Sequence, residues 1–362
     1  MKAFFPGLWL IVGLELRQRV RGAAWYVLIG IFAVVLLAVT VLFTWFTVTT
    51  PGADSGGPLY SVIMYIVLLL STLMTPALSG SAINGDRDTG TLATTQVTLI
   101  TTGQLVLGKF LASWVSALAF LVVSLPFIIV AVTLGGLSPL TIVTSALILV
   151  AELGVFAAIG VGLSGLVNRP LFSVVVSYLT IAALCAGTLI SFGLLTLVTR
   201  SDVVVTETNV SQSSGDPSTT DPSQIVCDPP TTYTFQVPRY DYYWWMLAAN
   251  PYVVVADATP GSFSKEGTPA DLFTIIATGV RTAQHAPPLA ETNDYCAQVK
   301  AEANGNRPTD NGPTPKEVYE SSVPSWFVGL AMHVLLAGAL LAGAWARTRT
   351  PARRLSKGSR IA

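Results

Sequence analysis

Any catalysis or metal binding by this chain would have to come from three cysteines, two histidines and a sparse set of carboxylates. His285 and His333 stand far apart, and neither has Cys or carboxylate neighbours at metal-ligand spacing, so no zinc centre is expected. Gly103, Gly108 and Lys109 match the first half of a phosphate-binding loop, G-x-x-x-x-G-K. Phe110 stands where Ser or Thr would hold magnesium, and the segment opens an apolar helix instead of following a strand. Gly103 then reads as a loop residue, and Lys109 as an interfacial cation whose stem lies along apolar surface. No catalytic residue, cofactor, metal or ATPase activity is therefore expected in the chain itself. Glu152 is the remaining candidate, an ionisable group inside a long apolar run, where facing lipid is costly. It either faces a water-filled route, contacting a cationic substrate or carrying a proton, or it makes a structural hydrogen bond to a neighbouring Ser or Thr or sits near the outer boundary.

Membrane helices must position these residues. The chain is 52% hydrophobic and only 11% charged, with a mean hydropathy of +0.62, far from the ~25% charged content of soluble domains. Twenty Lys and Arg balance twenty Asp and Glu, which leaves no electrostatic case for a nucleic-acid partner. A helix needs about 20 apolar residues to cross the hydrocarbon core. Six runs qualify: Ala23 to Val48, Leu59 to Ile83, Leu107 to Leu134 with Pro126 inside, Thr141 to Val167, Leu171 to Val198, and Ser325 to Ala346. Asn168, Arg169 and Pro170 make a tight hairpin of the fourth and fifth. The first run is too long for a signal peptide and lacks a cleavage site. Lys2, Arg17, Arg19, Arg21, Arg87, Lys109, Arg169 and the cluster from Arg347 to Arg360 fall on one side, and the short loops on the other side carry no Lys or Arg. That alternation predicts both ends in the cytoplasm of a cell-membrane protein.

The expected fold is an all-α polytopic membrane protein. Residues 1–22 form a cytoplasmic amphipathic helix, 23–199 hold helices 1 to 5 with a cytoplasmic loop at 84–106, 200–323 form a large extracytoplasmic domain, 324–346 the sixth helix, and 347–362 a basic cytoplasmic tail. Within the outer segment, Thr206 to Pro222 reads as a flexible polar linker, and Tyr240 to Ala258 and Thr268 to Ala283 as amphipathic helices. Thr268 is expected to cap the second of these, with Pro269 at its first position and Asp271 in its first turn. Cys227 and Cys296 are expected to pair in the oxidising exterior, and Cys185 to be a small apolar helix residue. Tyr240, Tyr242, Tyr243, Trp244 and Trp245 suit a membrane interface, an outer-domain core or a lipid-like or glycan substrate. Trp326 and Trp345 bracket the last span as anchors. Small residues from Gly154 to Gly165 predict close helix packing, within the chain or at a dimer seam.

The loop from Asn84 to Thr98, with Asp86-Arg87-Asp88-Thr89-Gly90-Thr91-Leu92 and then Gly108-Lys109-Phe110, resembles that of type-2 ABC exporter permeases. In that family an acidic-basic cluster and a Gly-Thr-Leu step precede a short amphipathic coupling helix and a Leu-Gly-Lys entry into the third span. Asp86 and Asp88 stand where the family often has Glu. The N-terminus from Phe5 to Arg21 looks like the family's connecting helix, and Asn250 to Ala258 looks like a motif of its actinobacterial-style members. The outer segment is larger than is usual in the family. The resemblance implies an ABC transporter half: a permease that pairs with a second copy or a sister as a dimer and exports a substrate, with ATP bound and hydrolysed by a separate cytoplasmic ABC ATPase subunit. It further implies that Asp86, Arg87 and Asp88 supply charged contacts to that ATPase, Gly90 the turn, and Leu92 and Val97 the apolar contacts, with Thr91 in the same coupling segment. The competing expectations are a solvated loop whose charges only fix topology, a sensor or assembly protein whose outer domain binds a ligand and whose cytoplasmic loop signals, and an ion- or proton-coupled transporter without an ATPase.

Overall fold

A computed structural model describes residues 4–49, 56–91, 100–212, 225–304 and 313–349. Among these residues the chain is mostly helical, with six helices long and apolar enough to cross a membrane. Helix α1 (Phe4–Arg21) precedes the first span, α2 (Ala23–Thr49), and the second, α3 (Gly56–Ser79). A one-turn helix α4 (Asn84–Asp88) leads to the third and fourth spans, α5 (Thr102–Thr133) and α6 (Pro139–Leu166). The fifth, α7 (Pro170–Val198), is helical throughout but widens to π geometry over Ala183–Gly187. The sixth is α13 (Trp326–Thr348).

Local sequence accounts for the boundaries. Thr101 and Gln104 close a reciprocal capping box at the start of α5, and Ser138 accepts from the Thr141 N–H ahead of Pro139 at the start of α6. Pro170, locked at a helical φ, opens α7 directly after the Asn168–Arg169 turn. Helix α6 is the core of the bundle, its second half buried on all sides from Glu152 to Gly165, whereas α2 and α7 leave most of their apolar surface outward. The small-residue stripe explains this. A Cβ on Gly160 would stand 1.8 Å from Ser79 Oγ, and those on Gly162 and Gly165 would press on Leu340 and Ala344. The stripe therefore seats the second and sixth spans of the same chain.

The long segment between the fifth and sixth spans is not one block. Its strands form a three-stranded sheet, β1 (Arg200–Thr208) between antiparallel β4 (Thr231–Pro238) and parallel β5 (Ala290–Asp294). A small ladder of β2 (Val210–Gln212) and β3 (Val226–Cys227) adjoins it. The Cys227–Cys296 disulfide ties β3 to α11 (Tyr295–Ala303), as expected. The all-α expectation thus holds for the spans, and the strands were not foreseen. The linker reading fails for residues 206–212, whose β-branched Val and Thr pair in β1 and β2. Its remainder up to Pro222 lies outside the described residues.

The other described residues of the segment are mainly helical and pack on the bundle. Tyr240 to Ala258 is broken into a 3₁₀ turn (Tyr240–Tyr242), α8 (Trp244–Ala248) and α9 (Pro251–Ala258), because Asn250-Pro251 restarts the helix. Helix α10 (Leu272–Thr282) begins later than predicted. Asp271, not Thr268, is its cap, accepting from Thr274 N at 2.7 Å, while Thr268 bonds Ser264 at 2.7 Å. A final turn, α12 (Pro315–Ser321), leads into the last span.

Candidate functional sites

Two polar constellations stand out, one at the α1 end of the bundle and one in its interior. The first gathers at the end that carries α1. Lys109, near the start of α5, is only 2% exposed and pairs with Glu15 of α1 and, at 2.7 Å, with Asp86 of α4. The snorkelling expectation for Lys109 is therefore wrong: α1 lies across the start of α5 and supplies a carboxylate where water would otherwise be. Arg19 adds a second tie, donating to Ser113 at 2.8 Å, Ser116 at 3.1 Å and the Leu78 carbonyl at 3.0 Å. Burial pulls its pKa below the ordinary arginine value, and the Glu15 carboxylate opposes that shift.

The loop itself is anchored from behind. Ser164 Oγ accepts from the backbone N–H of Ile83 (2.8 Å) and Asn84 (3.1 Å), so α4 starts against the end of α6. Arg87 and Arg347 both reach Asn168 Oδ1 at 3.4 Å, and Asp88 is exposed. Gly90 turns the chain at φ +76°, a conformation that costs glycine little. Thr91 bonds Thr89 Oγ1 at 3.0 Å and the Asp86 carbonyl at 3.2 Å. Leu92 and Val97 lie outside the described residues. The structure thus brings Asp86 into a shared ion cluster with Glu15 and Lys109, and sequence reasoning had missed Glu15. Its spacing offered a signal, since Glu15 and Arg19 lie one turn apart on a basic helix.

The second constellation is dry. Glu152 and His333 are 0% and 1% exposed, and His333 Nδ1 lies 2.9 Å from Glu152 Oε1 and 3.1 Å from Oε2. The partner of Glu152 is neither Ser nor Thr but His333, which lies 181 positions away in the chain. His333 Nε2 lies 2.9 Å from the Ala249 carbonyl. A carbonyl only accepts, so Nε2 carries a proton and a single further proton is shared between Nδ1 and the carboxylate. Whichever atom holds it, the pair is neutral overall, which suits a site closed to water.

Ala249 belongs to the turn between α8 and α9, and that turn reaches between the spans. Asn250 Nδ2 donates to the Cys185 carbonyl at 2.6 Å and to Thr188 Oγ1 at 2.9 Å, while Asn250 Oδ1 accepts from Tyr252 N at 2.9 Å. Cys185 lies in the π stretch, where the ladder of i→i+4 bonds is interrupted. It is roughly 20 Å along the helix from Val198, and Glu152 is roughly as far from Pro139. Irregular backbone survives at such depth only when buried in protein with its polar groups paired, which is what His333 and Asn250 accomplish. Gly329 makes room: a Cβ there would stand 1.9 Å from the Ala248 carbonyl oxygen.

Above this turn, Asp257 joins α9, α10 and the last span. Its carboxylate accepts from Arg281 Nε at 2.6 Å, from Ser325 Oγ at 2.9 Å, from Trp326 N at 3.0 Å and from Ser325 N. A carboxylate at the first turn of α13 also complements the helix dipole. The aromatic run is divided: Tyr240 stacks on Phe192 at 5.8 Å, Tyr243 bonds Thr199 at 2.9 Å, and Tyr242 and Trp245 remain exposed. Among the described residues, no group of three or more His, Cys, Asp and Glu is placed to hold a metal ion.

No protein-family model matches the chain, and no curated protein matches it.

Proposed function

We propose that this chain is the membrane permease subunit of an ATP-driven ABC-type exporter, paired with a second permease and driven by a separate cytoplasmic ATPase. In this reading α1, the 84–106 loop and both chain ends face the cytoplasm of the cell membrane. The distribution of Lys and Arg supports that orientation. The observation that carries the reading is the Lys109 cluster. One buried ammonium holds carboxylates from α1 and from the loop, so a push on the loop is passed at once to the first helix and to the third span. A lever needs such stiffness, because a loop free to bend would absorb the motion of its partner. In this reading Asp88, which is exposed, contacts the ATPase together with Leu92 and Val97, and hydrolysis belongs to that partner.

Copurification tests the reading. The wild-type chain is expected to bring down a nucleotide-binding subunit from its native membrane, and Asp88→Ala combined with Leu92→Ala to lose it. Recovery of no ATP-hydrolysing partner, or labelling of an engineered cysteine at position 88 from outside intact cells, overturns it. The buried Glu152–His333 pair favours a second reading, a proton-coupled transporter. That reading predicts that Glu152→Gln abolishes transport and that ATP depletion at constant membrane potential does not.

A further inference from the structure

At the α1 end, a groove of about 280 Å³ runs between α5 and α13, lined by Gly103, Val106, Leu107, Leu341, Ala342 and Trp345. Its walls are apolar, and its mouth is positive. Gly103 is in the first turn of a 32-residue helix, where backbone N–H groups lack helical acceptors and the dipole is positive. A Cβ on Gly103 would lie 3.9 Å from Trp345 Nε1, so the indole N–H is at the same corner. The Arg349 guanidinium stands 5.4 Å over the Trp345 ring and is exposed. In sequence, neither α5 nor α13 contains Asp or Glu, and the residues after Arg349 add Arg353, Arg354, Lys357 and Arg360 with no acidic residue as far as Ala362. Apolar walls below a cationic mouth, at the level where an interfacial tryptophan sits, match one kind of molecule.

We propose that this groove binds an anionic phospholipid of the adjoining leaflet, with an acyl chain against Val106, Leu107 and Leu341 and the phosphate received by Arg349, the Trp345 N–H and the start of α5. A neutral lipid would gain the same apolar contact without the charge term, so the site discriminates by headgroup. Because the groove touches both the third and the sixth spans, its occupant would bridge the helix that carries Lys109 to the one that carries His333. The proposal uses the orientation read from Lys and Arg and not the exporter reading. Binding to purified protein needs no ATPase, so the two can fail separately.

The test is photocrosslinking of the purified full-length chain in phosphatidylcholine vesicles doped with phosphatidylglycerol bearing a diazirine on its acyl chain. Adducts are expected on peptides containing Leu107 or Leu341, competed away by unlabelled phosphatidylglycerol and not by added phosphatidylcholine. Gly103→Leu, which fills the groove where a Cβ meets nothing closer than 3.9 Å, should lose the adducts. Arg349→Gln, outside the packed core, should keep them but lose the headgroup preference. Trp345→Phe keeps an aromatic ring, removes the N–H and should weaken the preference, which preserves the test if Gly103→Leu misfolds. Equal competition by both lipids, or an unchanged preference in Arg349→Gln, would mean ordinary solvating lipid and overturn the proposal. Crosslinks joining two protein chains through the groove would overturn it as well.

Discussion

The two ion clusters use similar groups and obey different rules. Around Lys109 the carboxylates remain partly wet, with Asp86 35% exposed, so water can replace a lost partner. Around His333 nothing replaces it: Glu152 is fully enclosed, and the Ala249 carbonyl has its imidazole. The first cluster can tolerate the loss of one partner, whereas the second can only be kept or destroyed. A polar pair is therefore replaceable at the α1 end of this bundle and indispensable in its interior, according to access by water.

Breaking the dry site should have the largest effect. His333→Ala leaves a carboxylate and a carbonyl unpaired, and a loss of about 3–5 kcal/mol is expected, read as a fall in the denaturation midpoint in detergent. Glu152→Gln sharpens the contrast. Its amide can donate to Nδ1 while Nε2–H keeps Ala249, so the loss should stay near 1 kcal/mol, as for a neutral hydrogen bond. Equal damage from both variants would mean that the charge, not the hydrogen-bond geometry, holds the turn.

At the wet cluster, Lys109→Ala should cost more than Asp86→Asn, because it strands Glu15 beside an apolar helix end. Asp86→Asn should change stability by no more than about 1 kcal/mol, and added salt should shrink that difference. A salt-insensitive effect would place the cluster with the dry one. The smallest effect is expected in the strand-bearing segment, where Arg239 donates to Asp241 at 2.8 and 2.6 Å and, chiefly through that bond, holds its pKa below the usual carboxylate value. The support this gives is present above the ordinary carboxylate pKa and is lost as pH falls through the depressed value. Hydrogen exchange of residues 239–243 should therefore quicken only in strong acid, with the spans unchanged.

How much of this was legible follows from the range of each signal. The spans, the Asn168–Pro170 hairpin and the cysteine pair are written in runs and spacings and appear as read, and the Gly90 turn that the resemblance implied is present as well. Asp271 takes the cap in place of Thr268, since two possible caps stand close together in sequence, and Thr268 is bonded to Ser264 while the Leu272 N–H meets Ser61 Oγ. Lys109 was misread because a lysine at a helix entrance ordinarily reaches for water, and nothing local says that α1 will cover it.

By itself the sequence determined which stretches enter a membrane and where basic charge collects, because hydrophobic length and charge act residue by residue. Tertiary structure alone decided that Glu152 faces His333, that Glu15 and Asp86 share Lys109, and that the turn at Ala249 and Asn250 descends among the spans. Each of these joins groups far apart in the chain, and their free energies exist only after helix packing has removed the water that would otherwise satisfy them.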